Sequence, residues 1–263
     1  ILNPGQTISS DVLLAKDVEQ AIEVALCIHV FDPEDRTVTV RDRSVSIEPG
    51  ERKTLTWQIP SLDGYPIAAA GIEIVKAPVG GILFVDRYDW QGAPEVVLQK
   101  RKGSMWHRAW VNGVDSYGPR YPESFRLIQN HGTGLLLYGS RDWNDYGLKA
   151  DVTPHLVSRC GIATRVQGLR RYYALLLTPG SGIQLTRELD GTVVLAEKPM
   201  SIDNYRTYEL EMHVRGDQLD GYVDGEQILS VADGGLTEGG IGLVVDTGRT
   251  ATQRVQVSPL DRT

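Results

Sequence analysis

The stretch "YELEMHVRGDQLDGYVDGEQILSVAD", Tyr208 to Asp233, with "GGIGLVV", Gly239 to Val245, just beyond it, decides how the chain is read. Tyr208, Leu210, Met212 and Val214 alternate with Glu209, Glu211 and His213, the period of two that marks a strand buried on one side. A turn at Gly216 ends this strand. "QLDGYVDG" and "EQILSVAD" follow as two more short strands, with glycine and aspartate at the points where the backbone must reverse.

The same rhythm extends upstream, through "SFRLIQN" (124–130), "TGLLLYG" (133–139), "YGLKADV" (146–152), "GIATRVQG" (161–168), "RRYYALLLT" (170–178), "GIQLTREL" (182–189) and "TVVLAEK" (192–198), and downstream in "ATQRVQVSPL" (251–260). That makes about a dozen strands, which predicts two large antiparallel sheets, since one open sheet of such size curls or splits. In the first third, strands are expected at 21–31, 36–47, 52–59, 69–75 and 81–90, separated by turns at 32–35, 48–51, 62–66 and 77–81. Between the two regions lies "LQKRKGSMWHRAWVNGVDSYGPRYPES", Leu98 to Ser124, which has no clean period and reads as a structured connector packing on both modules, because its rings would be costly to leave in water.

The expected fold is therefore all-β: a small N-terminal β-sandwich over residues 1–95, and a connector plus a larger jelly-roll sandwich over 96–263. With 263 residues, the chain is long enough to bury a core in each without disulfide staples. The 27 Lys and Arg against 34 Asp and Glu give a net charge of −7, which argues against nucleic acid or an anionic membrane as partner. Cys27 and Cys160 sit in apolar alternating stretches and read as buried free thiols. No span of about 20 apolar residues and no signal peptide is recognisable, so the chain reads as soluble, of bacterial type, cytoplasmic or secreted. It opens on Ile1 without a methionine, which is taken as the mark of a piece of a longer polypeptide with an upstream catalytic domain.

On the residues quoted, the region from Ser124 to Leu260 resembles the concanavalin A-like or laminin G-like jelly roll; the carrying pieces are "DWNDYGLKADV", "GIATRVQGLRRYYALLL", "IQLTRELDGTVVLAE", the 208–233 stretch and the closing "GGIGLVVDTG". The first part, in its closing "GILFVDRYDW", resembles a galactose-binding-like or immunoglobulin-like accessory sandwich. Such a tandem is similar to the appendages behind sugar-processing catalytic domains, including ADP-ribosylglycohydrolase-like (crystallin J1-like) proteins. The resemblance is specific for fold and weak for function.

Chemistry is sparse. The paired carboxylates that jelly-roll glucanases carry as E-x-D-x-x-E are missing, and Glu209, Glu211 and His213 read as a solvated outer face. The five histidines occur singly, which disfavours zinc. Neither a nucleophile elbow nor a phosphate loop occurs, so no catalytic residue is expected. What remains is the stretch "SRDWNDYGLKADV", where Asp142, Trp143, Asn144 and Asp145 form a loop ahead of a strand, and a surplus of rings that includes Trp106, Trp110 and Tyr172. Flat rings beside Asp and Asn are what a sugar site needs; core packing and turn building are the competing explanations for the same residues. No cofactor is required, though calcium stays open at Asp142 and Asp145 because it takes carboxylate oxygens from turns. The expected function is a non-catalytic accessory module, binding a saccharide, of a larger glycan- or ADP-ribose-processing enzyme. The alternative is a structural or interaction module that packs on a catalytic domain or an oligomer partner, and a glycoside hydrolase in its own right comes third.

Overall fold

A computed structural model of the chain describes residues 2–77 and 81–260, which divide into two compact units, Leu2–Gly92 and Ala93–Thr263. The turn expected at 77–81 lies largely outside the described residues.

Among the described residues the first unit contains seven strands, β1 (Thr7–Leu14), β2 (Ile22–Phe31), β3 (Thr37–Arg41), β4 (Val45–Ile47), β5 (Arg52–Gln58), β6 (Ile67–Lys76) and β7 (Leu83–Gln91). They form two antiparallel sheets. One has the order β5-β1-β7; in the other, β3 and β4 share one edge of β2 and β6 takes the other. Ile8, Val12 and Leu14 of β1 meet Val24, Leu26, Ile28 and Val30 of β2 in a single core. The strand β1 was not expected, because Ser9, Ser10 and Asp11 interrupt its apolar pattern. Ser10 is nevertheless buried on the inner face, where its hydroxyl donates to the Arg87 carbonyl at 2.7 Å, so the polar atom is satisfied. The single strand expected over 36–47 is two, broken at 42–44.

In the second unit the expected connector contributes β8 (Val96–Gln99), a one-turn helix α1 (Met105–Arg108) and β9 (Val111–Gly113). After it come β10 (Phe125–Tyr138), β11 (Tyr146–His155), β12 (Arg159–Gly168), β13 (Arg171–Thr178), β14 (Gly182–Leu189), β15 (Thr192–Pro199), β16 (Tyr208–Arg215), β17 (Gln218–Val223), β18 (Glu226–Ala232) and β19 (Gly240–Pro259). No helix among the described residues is long and apolar enough to cross a membrane.

The two separate sheets expected here are halves of one hydrogen-bonded, twelve-stranded sheet folded on itself. Two strands make the fold. The first half of β19 lies between the C-terminal half of β10 and β12, Val245 pairing with both Gly134 and Cys160. Its second half lies beside β11 on one edge and beside β8 and the start of β10 on the other, Val257 pairing with both Leu148 and Val96. The expected breaks at 131–132 and 246–250 are thus bends within continuous strands. Gly132 has φ +66°, and Thr247 and Gly248 have φ +35° and +136°. A Cβ on Gly248 would stand 2.4 Å from the Leu156 carbonyl oxygen and 2.5 Å from the Val157 Cα, so both dihedral and space demand glycine.

Between the halves lies the core. Each strand turns one side inward: Tyr146, Leu148, Ala150 and Val152 from β11, Tyr208, Leu210, Met212 and Val214 from β16, Ile241, Leu243 and Val245 from β19. An aromatic chain closes one end, with Trp110 at 4.8 Å from Phe125 and 5.1 Å from Tyr138, and Tyr138 in turn 6.2 Å from Trp143. Trp143 is 0 % exposed and lies against Gly139, whose missing side chain makes room for the ring. The two cysteines, Cys27 and Cys160, are free and buried, and burial pushes the Cys160 thiol up to about 12.

Two substitutions test this framework by thermal or urea denaturation. Gly248→Ala forces a side chain into the bend and is expected to destabilise the chain by roughly 1–3 kcal/mol from the dihedral alone, with the backbone clash added. Trp143→Ala should cost about 3–5 kcal/mol, the range for a large buried ring; a loss under about 1 kcal/mol would show that the ring does not support the core.

Candidate functional site

Alternation that sends apolar residues inward sends their neighbours outward, and in the half of the sheet built from β19, β11, β16, β17 and β18 those neighbours are almost all polar. Cross-strand register aligns them in two rows. One runs Gln256, Lys149, Glu211, Tyr222, Gln227; the other runs Ser258, Gly147, His213, Asp220, Ser230. Over β19, β11 and β16 the surface sinks into a cleft of about 420 Å³ lined by Gly147, Lys149, Asp151, Glu209, Arg254 and Gln256, among others. Gly147 keeps the floor low, since a side chain there would meet His213 Cδ2 at 3.3 Å and Ser258 Oγ at 3.4 Å.

The charged groups hold one another in place. Lys149 Nζ is 2.7 Å from Glu209 Oε1 and 3.4 Å from Glu211 Oε2. Its hydrogen bond to Glu209, with the charge of both carboxylates, holds the ammonium pKa above the ordinary lysine value against the opposing effect of burial. Glu211 Oε1 lies 2.7 Å from His213 Nε2, and the imidazole sits 4.8 Å from the Tyr222 ring at 46°. Burial, then the charges of Asp220 and Glu211, raise the Tyr222 phenol, so it stays a neutral O–H at physiological pH. Asp220 Oδ1 accepts from Ser230 Oγ at 2.7 Å, Gln218 Nε2 at 2.9 Å and Gln227 Nε2 at 3.1 Å.

Asp151 has a backbone task. The register between β11 and β19 shifts between Ala150 and Val152, leaving Gln253 and Arg254 opposite the single residue Asp151. Its Oδ1 accepts from both of their N–H groups, at 2.7 and 3.0 Å, which satisfies the bulge and fixes where the Arg254 side chain leaves the sheet.

The residues singled out in the sequence stand elsewhere. Trp106, Trp110 and Trp143 come together in the core of the second unit. The loop 142–145 is a hub of hydrogen bonds: Asp142 accepts from Ser140 Oγ, the Trp143 carbonyl from Gly239 N–H at 2.9 Å, the Asn144 carbonyl from Arg165, and Asp145 Oδ1 from Gly216 N–H at 2.9 Å. Arg165, fully buried, also donates to the Leu236 carbonyl at 2.9 Å, and its N–H reaches Tyr146 Oη at 2.7 Å. Tyr172 points away from Tyr173, out of the main core, and is 3 % exposed in a small apolar cluster with Leu135, Leu176 and Val244. Its edge borders a second cleft, of about 310 Å³, with Thr133, Arg170 and Glu188. Among the described residues, no group of three or more His, Cys, Asp or Glu side chains is placed to hold a metal ion.

The polar face escaped the sequence reading, although its parts were visible. Glu209, Glu211 and His213 lie on the outward face that the alternation predicts; what single strands do not tell is that β11 and β16 are neighbours and that their outward rows coincide.

No family model matches the chain, and no curated protein matches it. Solved structures do. A carbohydrate-binding module, CBM66, from Bacillus subtilis shares 19 % identity over 57 % of this chain and 95 % of its own, with a TM-score of 0.53. A Bacillus subtilis protein of unknown function with a galectin-like fold is 14 % identical over 65 % of this chain and 100 % of its own, at a TM-score of 0.49. At these identities the likeness is one of fold, and it is carried by the first of the two: the chain has an all-β sandwich architecture similar to that of a carbohydrate-binding module.

Proposed function

We propose that the chain is a non-catalytic carbohydrate-recognition module whose second unit holds a saccharide on the outer face of β19, β11, β16 and β17. The observation that carries this reading is the cleft itself: an open depression in which hydrogen-bonding side chains from three strands stand in register, continued by a half-buried tyrosine. Sugar rings need acceptors and donors at fixed spacing for their hydroxyls and a flat surface for their C–H face. Lys149, Glu211, Gln256 and Arg254 supply the first, and Tyr222 beside His213 supplies the second. The sandwich architecture shared with a carbohydrate-binding module agrees with this reading. Hydrolysis does not fit as well: a glycosidase needs one carboxyl held protonated opposite an ionised partner, whereas an ammonium group bridges Glu209 and Glu211. The glycan-processing parent expected from the sequence is part of the same proposal.

A second reading, an interaction module, rests on one observation. In the first unit β6 and β7, each paired on one side only among the described residues, expose Ile74, Val75, Phe84, Val85 and Trp90, with Ile82 beside them, on strand edges that could add to a partner sheet. Sedimentation that shows a monomer up to high micromolar concentration would remove self-association through this surface.

Calorimetric titration of the chain against a panel of oligosaccharides tests the first reading. We expect Tyr222→Ala and Lys149→Ala to weaken binding at least about tenfold, which is about 1.4 kcal/mol, while changing stability by only about 0.5 kcal/mol as substitutions away from the core do. Absence of binding to every saccharide at millimolar concentration, or variants that bind as the parent does, would sink it.

A further inference from the structure

Resting on that reading, we infer that the cleft takes an uncharged glycan chain laid across the strands and turns away sugars that bear carboxylate or sulfate groups. Direction comes first. The row Gln256, Lys149, Glu211, Tyr222, Gln227 places one side chain on each of five adjacent strands. Neighbouring strands lie about 4.8 Å apart, so the row extends roughly 19 Å at right angles to them. One strand spacing is comparable to the length of one pyranose ring, and the polar path runs on past the cleft over β17 and β18. A chain of several residues fits such a row; a lone monosaccharide would use a fraction of it.

Charge decides the class. The face carries the carboxylates Asp151, Glu209, Glu211 and Asp220 against the cations Lys149 and Arg254, with Arg215 at the far end of β16 and His213 next to Glu211. Lys149 already lies between Glu209 and Glu211, so the ammonium that an anionic sugar would seek is surrounded by competing carboxylates. Carboxylates accept hydrogen bonds and donate none. The half-exposed carboxylates of Glu209 and Glu211 are matched by the hydroxyl groups of a neutral chain, which can donate to them, and are mismatched with uronates and sulfates, whose charged groups are acceptors as well. Like charges brought together in a cleft oppose binding, the device by which interfaces reject wrong partners.

The test titrates the whole chain, by calorimetry at low and at physiological salt, with neutral gluco-, xylo-, manno-, galacto- and fructo-oligosaccharides of one to six residues, and with oligogalacturonate and a sulfated heparin-derived oligosaccharide. At least one neutral series should bind, with affinity rising at least tenfold from one to four residues, and the anionic oligosaccharides should bind at least tenfold more weakly than it at low salt. The Glu209→Gln variant should narrow that difference, and Tyr222→Ala should abolish binding of the neutral chain. Anionic sugars that bind as tightly as neutral ones would overturn the charge argument and leave saccharide recognition standing. A monosaccharide as tight as the tetramer would overturn the crossing chain. Neutral binding unaffected by Tyr222→Ala would place the ligand elsewhere, and no binding by any sugar would bring down the recognition reading itself.

Discussion

The second unit depends on one strand that belongs to both halves of its sheet. Because β19 is hydrogen-bonded to β10 and β12 before its bend, and to β11, β8 and the start of β10 after it, the backbone groups of both layers are satisfied through a single element. The bend at Thr247 and Gly248 lets that element turn from one layer to the other without a break in the ladder. Ser158 N–H lies 3.1 Å from the Asp246 carbonyl and 3.0 Å from that of Thr247, tying the start of β12 to the corner. Between the two layers lies the main apolar core, and the outer face of β11 and β16 is left polar.

That division explains why the aromatic surplus and the polar face are different things. A folded sheet has two ends where the layers splay, and large rings fill the gap that side chains of ordinary size would leave. Trp106, Trp110, Phe125, Tyr138 and Trp143 do this at one end. The Tyr146 hydroxyl joins the same end to the loops: it donates to the Gly239 and Gly240 carbonyls and accepts from Arg165 N–H. Burial pushes this phenol above its usual value, so it keeps the proton that it donates. Arg165 completes the arrangement by collecting the carbonyls of Asn144 and Leu236, and its hydrogen bonds offset the cost of burying a guanidinium. Through the Trp143 and Asn144 carbonyls and the Asp145 carboxylate, the loop 142–145 helps hold the sandwich closed.

The outer face of β11 and β16 has the opposite character. Its residues are half-exposed, charged, and linked by side-chain contacts rather than by packing, so substitution there leaves the core intact. Asp151 is an exception among them, since its carboxylate serves the backbone of the bulge in β19.

Much of this was legible from the residues alone. Period-two alternation identifies the strands from β11 onward, the inward and outward sides of β16, and the burial of both cysteines, because each follows from the geometry of an extended chain. Two kinds of feature were not legible. Gly132 and Gly248 look like strand ends, and only pairing partners on both sides of a bend distinguish a corner from a terminus; β1 hides behind Ser9, Ser10 and Asp11 because a buried hydroxyl becomes acceptable only when a partner such as the Arg87 carbonyl arrives from far along the chain. Local sequence determined what each strand shows on either side. Tertiary structure decided which strands lie together, and hence that Lys149 from one, Glu211 from another and Gln256 from a third form one surface, since register between segments distant in sequence is set by long-range hydrogen bonds and core packing.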